Sequence, residues 1–288
     1  MHEPSTIVAE KISYEALTDL MEVWEAQPWT KEYHRELTEL WNICEKRDEQ
    51  NLLKNLLKKF FLLDAAKEKS ATEGVSSVIS EWGLNPESTW IVAVANKEEI
   101  DGSTAGLQKL KNKLVPMEKW HSRCISNIPA ASEKIRNGDF IVLFDDFIGT
   151  GGKMLAKTNW LKRLLAPSGV TETVFYYTAF SAMTFGIKNL SQQTSSKIYS
   201  HFNLRKAISD EYPPAEASYL IDVMKRIESK LGETYKKKKI SDYSLGYGSS
   251  EALYCAQNDN CPNNVFPILW WRNLKNGKEF NTLLKRAG

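Results

Sequence analysis

From about Tyr14 to Trp82 apolar residues recur at three- and four-residue steps: Leu37, Leu40, Trp41 and Cys44, then Leu52, Leu53, Leu56, Leu57, Phe60 and Phe61. That spacing lines one face of a helix and predicts a helical N-terminal region. Pro28 and the pair Trp29-Thr30 interrupt it once, and Thr30 is expected to cap the helix that follows, with Tyr33 where a full capping box would carry glutamate. Trp24, Trp29, Trp41 and Trp82 fall on the apolar stripes, so they read as core and not as base-stacking platforms.

Beyond Gly83-Leu84-Asn85-Pro86 the period changes. Predicted strands Trp90–Ala95, Phe140–Phe144 and Glu172–Thr178 alternate with helices around Met117–Arg123, Pro129–Asn137 and Gly152–Leu165. Such alternation predicts an α/β fold, a parallel sheet with crossover helices. Further on, Ser181–Leu190 reads as helix, Lys197–Phe202 as a strand, and Pro213–Gly232 as an amphipathic helix opened by a proline pair and closed by glycine. Ser249–Trp271 reads as two strands around the Asn-rich turn Asn258–Asn264. The expected organisation is a helical region over residues 1–84 followed by an α/β domain over residues 85–288.

Composition narrows the function classes. Lys and Arg number 38 against 36 Asp and Glu, a formal charge of +2, so the whole-protein field does not call for a polyanion. A nucleic-acid role would need a local patch; the Lys236–Lys239 run could supply one or could simply be a solvated helix end. Cys44, Cys124, Cys255 and Cys261 contain no C-x-x-C pair, which fits neither a disulfide framework nor a zinc module and suits a reduced cytosol. His2, His34, His121 and His201 show no paired ligand spacing. Met1–Glu10 lacks the basic start and apolar stretch of a secretory signal, and no apolar run approaches the ~20 residues of a membrane span. The expected location is cytoplasmic, away from membranes.

The candidate chemistry lies in one segment. Phe140-Ile141-Val142-Leu143-Phe144 is continuously apolar, as a strand buried on both faces should be, and it runs into Asp145-Asp146-Phe147-Ile148-Gly149-Thr150-Gly151-Gly152-Lys153-Met154. Ligands meet a parallel sheet at the carboxyl ends of its strands, and the next helix start offers backbone N–H groups to an anion. Glycines let the chain turn tightly and bring those groups to a phosphate, while Thr150 and Lys153 add a hydroxyl donor and a positive charge. Asp145 and Asp146 would repel that phosphate, so they must serve another part of the ligand. Vicinal ribose hydroxyls suit them as donors, and the pair could also hold Mg2+ through water. A Walker-type loop would need glycine at Phe147 and Ser or Thr at Met154. A plain strand-to-helix turn with solvated acids is the other reading of Gly149–Gly152.

The run Ile141–Lys153 resembles the phosphoribosyl pyrophosphate (PRPP) motif of type I phosphoribosyltransferases: four apolar residues, two acids, two mostly apolar residues, then Thr-Gly-Gly. Lys153 stands where many members carry Thr or Ser. The resemblance implies that Asp145 and Asp146 bind the ribose hydroxyls as catalytic residues and that Gly149, Thr150, Gly151, Gly152 and Lys153 hold the 5-phosphate. It further implies a pyrophosphate contact at Lys97, in the loop Asn96–Ser103, which by its acids reads equally as an exposed surface loop. Gly246-Tyr247-Gly248-Ser249-Ser250 and the stretch Asn258–Asn264 resemble the tail of the phosphoribosyltransferase-like group called PRTase-CE, which accompanies bacterial anti-phage conflict systems, retrons included. Amides of Asn258, Asn260, Asn263 and Asn264 could read a base edge or cover a diphosphate; Asn and Pro also simply make turns.

The expected function is therefore a phosphoribosyltransferase-like enzyme acting on PRPP, a nucleotide or a nucleobase with Mg2+, serving as a defence effector with a reverse transcriptase and noncoding RNA as possible partners. The alternative is a sensor that binds a phosphorylated ribose without turnover. No protein nucleophile is required, because the acceptor attacks and the protein positions the reactants and stabilises charge.

Overall fold

The computed structural model describes residues 13–97 and 102–286. Met1–Glu10 and the Glu98–Asp101 part of the expected diphosphate loop lie outside the described residues. Ser13 accepts the Ala16 N–H and starts α1 (Tyr14–Ala26); α2 (His34–Ile43) and α3 (Arg47–Lys58) follow. Thr30 caps neither neighbour: it is buried in a 3-10 turn, Pro28–Tyr33, and its hydroxyl donates to Gln27 O at 2.8 Å. The helical reading of the N-terminal region is also broken by a short strand, β1 (Phe61–Leu63), before α4 (Ala65–Glu81), which Asp64 caps through the Lys67 N–H.

The remaining elements run in order as β2 (Thr89–Ala93), α5 (Gly102–Lys111), α6 (Met117–His121), β3 (Cys124–Ile125) and α7 (Ile128–Ser132). Next come β4 (Phe140–Ile148), α8 (Gly152–Leu165), β5 (Val174–Met183), α9 (Thr184–Gln193), β6 (Ile198–Leu204) and α10 (Pro214–Glu228). A hairpin of β7 (Thr234–Tyr235) and β8 (Lys238–Lys239), then β9 (Tyr254–Ala256), complete the chain. The main sheet is five-stranded and parallel throughout, in the order β3-β2-β4-β5-β6, so β4 is central.

Period-two alternation divides the strands between two cores. Ile141 and Leu143 join Val92 and Val94 against Ala131, Leu161 and Leu190 of α7, α8 and α9. Val142 and Phe144 join Ile91 and Ala93 against Val75 and Leu107 of α4 and α5. The pairing then skips one row: it passes from Asp145↔Ala179 to Phe147↔Ser181, and from Ala179↔Ser200 to Ser181↔Phe202, leaving out Asp146, Phe180 and His201. Past that row the alternation slips, since Phe147 packs with the Phe144 core and Ile148 with the Ile141 core. An irregularity of this kind re-aims side chains locally, as a bulge does. It falls at the acid pair.

The second core extends from the sheet through the N-terminal helices to the C-terminal tail, uniting Leu37, Leu40, Leu53 and Leu57 with Phe266, Trp270 and Trp271. Within it β1 pairs in parallel with β9, Phe61 opposite Tyr254. Ser249–Trp271 is not two strands: only Tyr254–Ala256 is extended enough to form one, and Pro267–Leu269 is a buried 3-10 turn. Pro262 and Pro267 lack the N–H a ladder needs, and the indoles of Trp270 and Trp271 are instead pinned by donation to Val265 O (2.9 Å) and Gly232 O (3.0 Å). Trp41 and Trp82 are packing residues as expected, Trp41 buried and Trp82 5.0 Å from the Tyr176 ring, whereas Trp29 is only partly buried and lines a cavity.

Two buried carboxylates set the position of an arch between α10 and β9. Glu228 accepts from Ser244 Oγ (2.6 Å) and the Leu245 N–H (2.9 Å). Glu251 accepts from the Ile208 and Ser209 N–H groups at 2.9 and 2.7 Å and from the Ser209 hydroxyl. Between these pins Leu245, Gly246, Gly248, Ser249 and Glu251 all have positive φ. For Leu245, Ser249 and Glu251 that conformation is strained, at roughly 1–3 kcal/mol each, so the surrounding contacts must hold it.

Burial pushes the Glu228 carboxyl from its ordinary 4.5 up to about 7. The folded protein therefore keeps a proton that the unfolded chain has lost, and stability present below about pH 4.5 is lost as pH rises through about 7. Glu228→Gln should flatten this fall, gaining on the parent by up to roughly 3 kcal/mol between pH 5 and pH 8 in urea unfolding. A separate cluster ties α3 to α10: buried Glu49 accepts from Arg226 Nε and Lys230 Nζ, both at 2.7 Å. Because both cations are partly solvated, Glu49→Ala should cost roughly 2–3 kcal/mol in the same measurement, less than a fully buried pair would lose.

Candidate functional site

The central strand delivers its acids to opposite faces. Asp145 turns toward α8, where Lys153 Nζ donates to its Oδ1 at 3.0 Å. Asp146 turns toward α5, and its carboxyl lies so close to Gly102 that any side chain there would collide with it. Asp145 is buried with its side chain 2% exposed, whereas the Lys153 side chain is 45% exposed. A buried carboxylate needs a partner, and this one has a cation that can still reach solvent. Asp145 also accepts the Asp146 N–H at 3.2 Å. Beneath them Tyr254 stacks on Phe147 with ring centroids 4.2 Å apart and planes 10° apart. Burial first, and the Asp146 charge second, push the Tyr254 phenol well above its ordinary range, so it stays protonated.

Beyond Ile148 the chain turns through Gly149-Thr150-Gly151 into α8. Gly151 has φ +82°, and a Cβ there would come within 2.8 Å of Gly186 O. Both facts demand glycine. Thr150 Oγ1 accepts the Gly152 N–H at 3.3 Å. Gly151, at the cap position, has no side chain to occupy the donors of the first turn. The result is a helix start open to an anion.

These groups line a cavity of about 490 Å³ that gathers Asp145, Gly149 to Lys153, Tyr247, Asn263 and Asn264. Asn264 is 8% exposed and lies against Gly149; its Nδ2 donates to Tyr247 O (3.2 Å) and Ser250 Oγ (2.8 Å). Gly248 sits over Thr150, where a Cβ would be 2.7 Å from the threonine methyl. The strained arch thus closes over the glycine turn, with the exposed ring of Tyr247 at the mouth. From the other side Gly186 of α9 packs on the turn, and Asn189 Nδ2 donates to Thr150 O at 3.4 Å.

Not every expected residue comes to this cavity. Asp146 stands on the other face of β4, and Lys97 is exposed in the loop after β2. Asn258 and Asn260 line a second cavity, separated from Asn263 and Asn264 by the fully buried Cys261. Phe147 and Met154, which a Walker-type loop would replace, are both buried in the cores. Gly186, Asn189, Tyr247 and Gly248 were not assigned to the site from sequence. An isolated glycine in a helical pattern was the available signal for Gly186.

Among the described residues no three His, Cys, Asp or Glu side chains group to cage a metal. Because Asp145 and Asp146 face opposite sides of β4 they do not form one donor set; either carboxylate alone suits a magnesium ion that keeps most of its waters and shares a ligand phosphate, and not an all-protein site. No helix among the described residues is long and apolar enough to cross a membrane.

Solved structures with similar coordinates include orotate phosphoribosyltransferase from Aeropyrum pernix, 16% identical over 46% of this chain and 70% of that one, TM-score 0.32. Adenine phosphoribosyltransferase from Thermoanaerobacter pseudethanolicus is 14% identical over 52% and 84%, TM-score 0.31. The AQ2163 protein from Aquifex aeolicus is 10% identical over 68% and 86%, TM-score 0.33. No curated protein matches the sequence. A family model matches residues 31–286, taking in the central strand, the glycine turn and the arch together, and by that match the chain belongs to the PRTase-CE family.

Proposed function

We propose that the cavity at the carboxyl end of β4 binds a ribose 5-phosphate group and that the protein is a phosphoribosyltransferase-like enzyme acting on PRPP or a nucleotide. The observation that carries this reading is the sharing of one cavity by Asp145, the left-handed glycine turn and Lys153. The 5-phosphate would lie at the start of α8, where the turn and Thr150 donate to its oxygens. Lys153, held by Asp145 when no anion is present, would move its ammonium to the phosphate and leave the carboxylate to accept from a ribose hydroxyl. Asp146 would serve the ligand from the α5 side. Magnesium, when bound, would neutralise the departing diphosphate. The acceptor supplies the attacking atom, and the arch over the turn would keep water from the sugar.

The motif and tail that resemble PRTase-CE proteins support a role as an effector in bacterial conflict, with a reverse transcriptase and noncoding RNA as partners. A non-catalytic sensor is the second reading, favoured by the pairing of Asp145 with Lys153 and by the residues that line the cavity, which do not include Lys97.

Supplying Mg2+, PRPP and a panel of bases and nucleotides while following diphosphate or free-base release should show turnover in the parent and none in Asp145→Asn with Asp146→Asn. Saturable binding without turnover would establish the sensor, and no binding of any ribose 5-phosphate would reject both. Lys153→Ala should weaken ribose 5-phosphate by roughly 10- to 100-fold in calorimetry, the worth of one hydrogen bond to a charged group. Gly151→Val should abolish that binding altogether.

A further inference from the structure

The half of the Asn-rich stretch that does not reach the glycine turn lines a cavity of its own, of about 500 Å³. Its floor is apolar and buried, made by Leu283, Leu284 and Cys255. One wall is aromatic. The Trp29 indole is held by donation from Nε1 to Gln27 Oε1 (2.8 Å) and by the Phe60 ring 5.6 Å away, with Tyr33 edge-on at 5.9 Å. Rings fixed in this way offer a face at little entropic cost. Another part of the lining is the loop Gln257–Asn260, shaped by the left-handed Asn258 (φ 62°) and by Asp259 N donating to Ala256 O at 3.2 Å. Side-chain amides there carry donors and acceptors together. Glu32 and Asp259 outweigh Lys285 in charge, so the lining repels phosphate where the glycine turn attracts it.

An aromatic wall, paired amide donors and acceptors, a negative rim and a volume in the small-ligand range match a planar heterocycle with a hydrogen-bonding edge. We propose that this cavity is a second ligand site, taking an uncharged nucleobase or nucleoside. The same stretch of chain joins it to the first cavity. Tyr254 stacks on Phe147 beside the acid pair, Cys255 to Asn260 line the second cavity, and Asn263 and Asn264 line the first. A ligand at the second site is therefore placed to bias the arch and the glycine turn. Its binding does not require a ligand in the first site, and any coupling between the two is reciprocal.

The test is calorimetric titration of the full chain with the common bases, their nucleosides and the corresponding 5′-monophosphates. At least one base or nucleoside should bind at one per chain, and Asn258→Gly with Asn260→Ala should weaken it tenfold or more while leaving the thermal midpoint in place. Glycine is chosen at Asn258 because it keeps the left-handed backbone. Lys153→Ala and Asn263→Ala should leave this binding unchanged. Loss of binding in either of those variants, its persistence in the double variant, or no binding by any base or nucleoside to millimolar concentration would overturn the proposal. A 5′-monophosphate that binds the second cavity tighter than its nucleoside would do the same. Failure of the ribose-phosphate reading is seen separately, through ribose 5-phosphate and variants of residues 145–153.

Discussion

A carboxylate buried at the end of an apolar strand is the constraint from which the rest of the site follows. Asp145 follows five apolar residues on the central strand and is buried where it meets the cavity, so a cation must be brought to it. Lys153 is that cation, two residues inside α8. To place it there the chain must reverse within a few residues, which only a glycine-rich turn with a left-handed step allows. The same reversal points the start of the helix at the space the pair encloses. Anion-binding geometry is thus a by-product of neutralising one acid.

The turn does not hold itself. Its backbone is packed so closely by Gly186 on one side and by Asn264 and Gly248 on the other that side chains at several of these contacts would collide. The arch supplying the Gly248 contact is strained, and two buried glutamates hold it by hydrogen bonds to its ends and to residues 208–209. Strain concentrated beside a cavity and opposed by buried polar anchors is the usual signature of a site kept in shape by its surroundings.

How far these features were legible in the sequence depended on how local their causes are. The strand Phe140–Phe144, the glycine turn and α8 were legible because each is dictated by neighbours in the chain. The prolonged strand to Ile148 was not, since it depends on pairing of Asp145, Phe147 and Ile148 with β5. β1 was hidden because Phe60, Phe61, Leu62 and Leu63 continue the apolar run of a helix, and only the distant partner β9 makes them a strand. Ser249–Trp271 misled because buried aromatics and prolines share the composition of a strand without its hydrogen bonding. The skipped row at Asp146 left no trace in residue type, and the two adjacent acids, which read as a matched pair, serve different faces of the sheet because neighbours on a strand alternate.

The pairing of β1 with β9 ties the molecule into a loop of a particular kind. Residues near the start of the chain complete the strand from which the arch and the tail are hung. The helical region is consequently not an appendage that could be trimmed or exchanged by recombination without disturbing the cavity. Any neighbour that levers on the first helices has a short mechanical path, through two hydrogen-bonded strands and one stacked ring, to the acids.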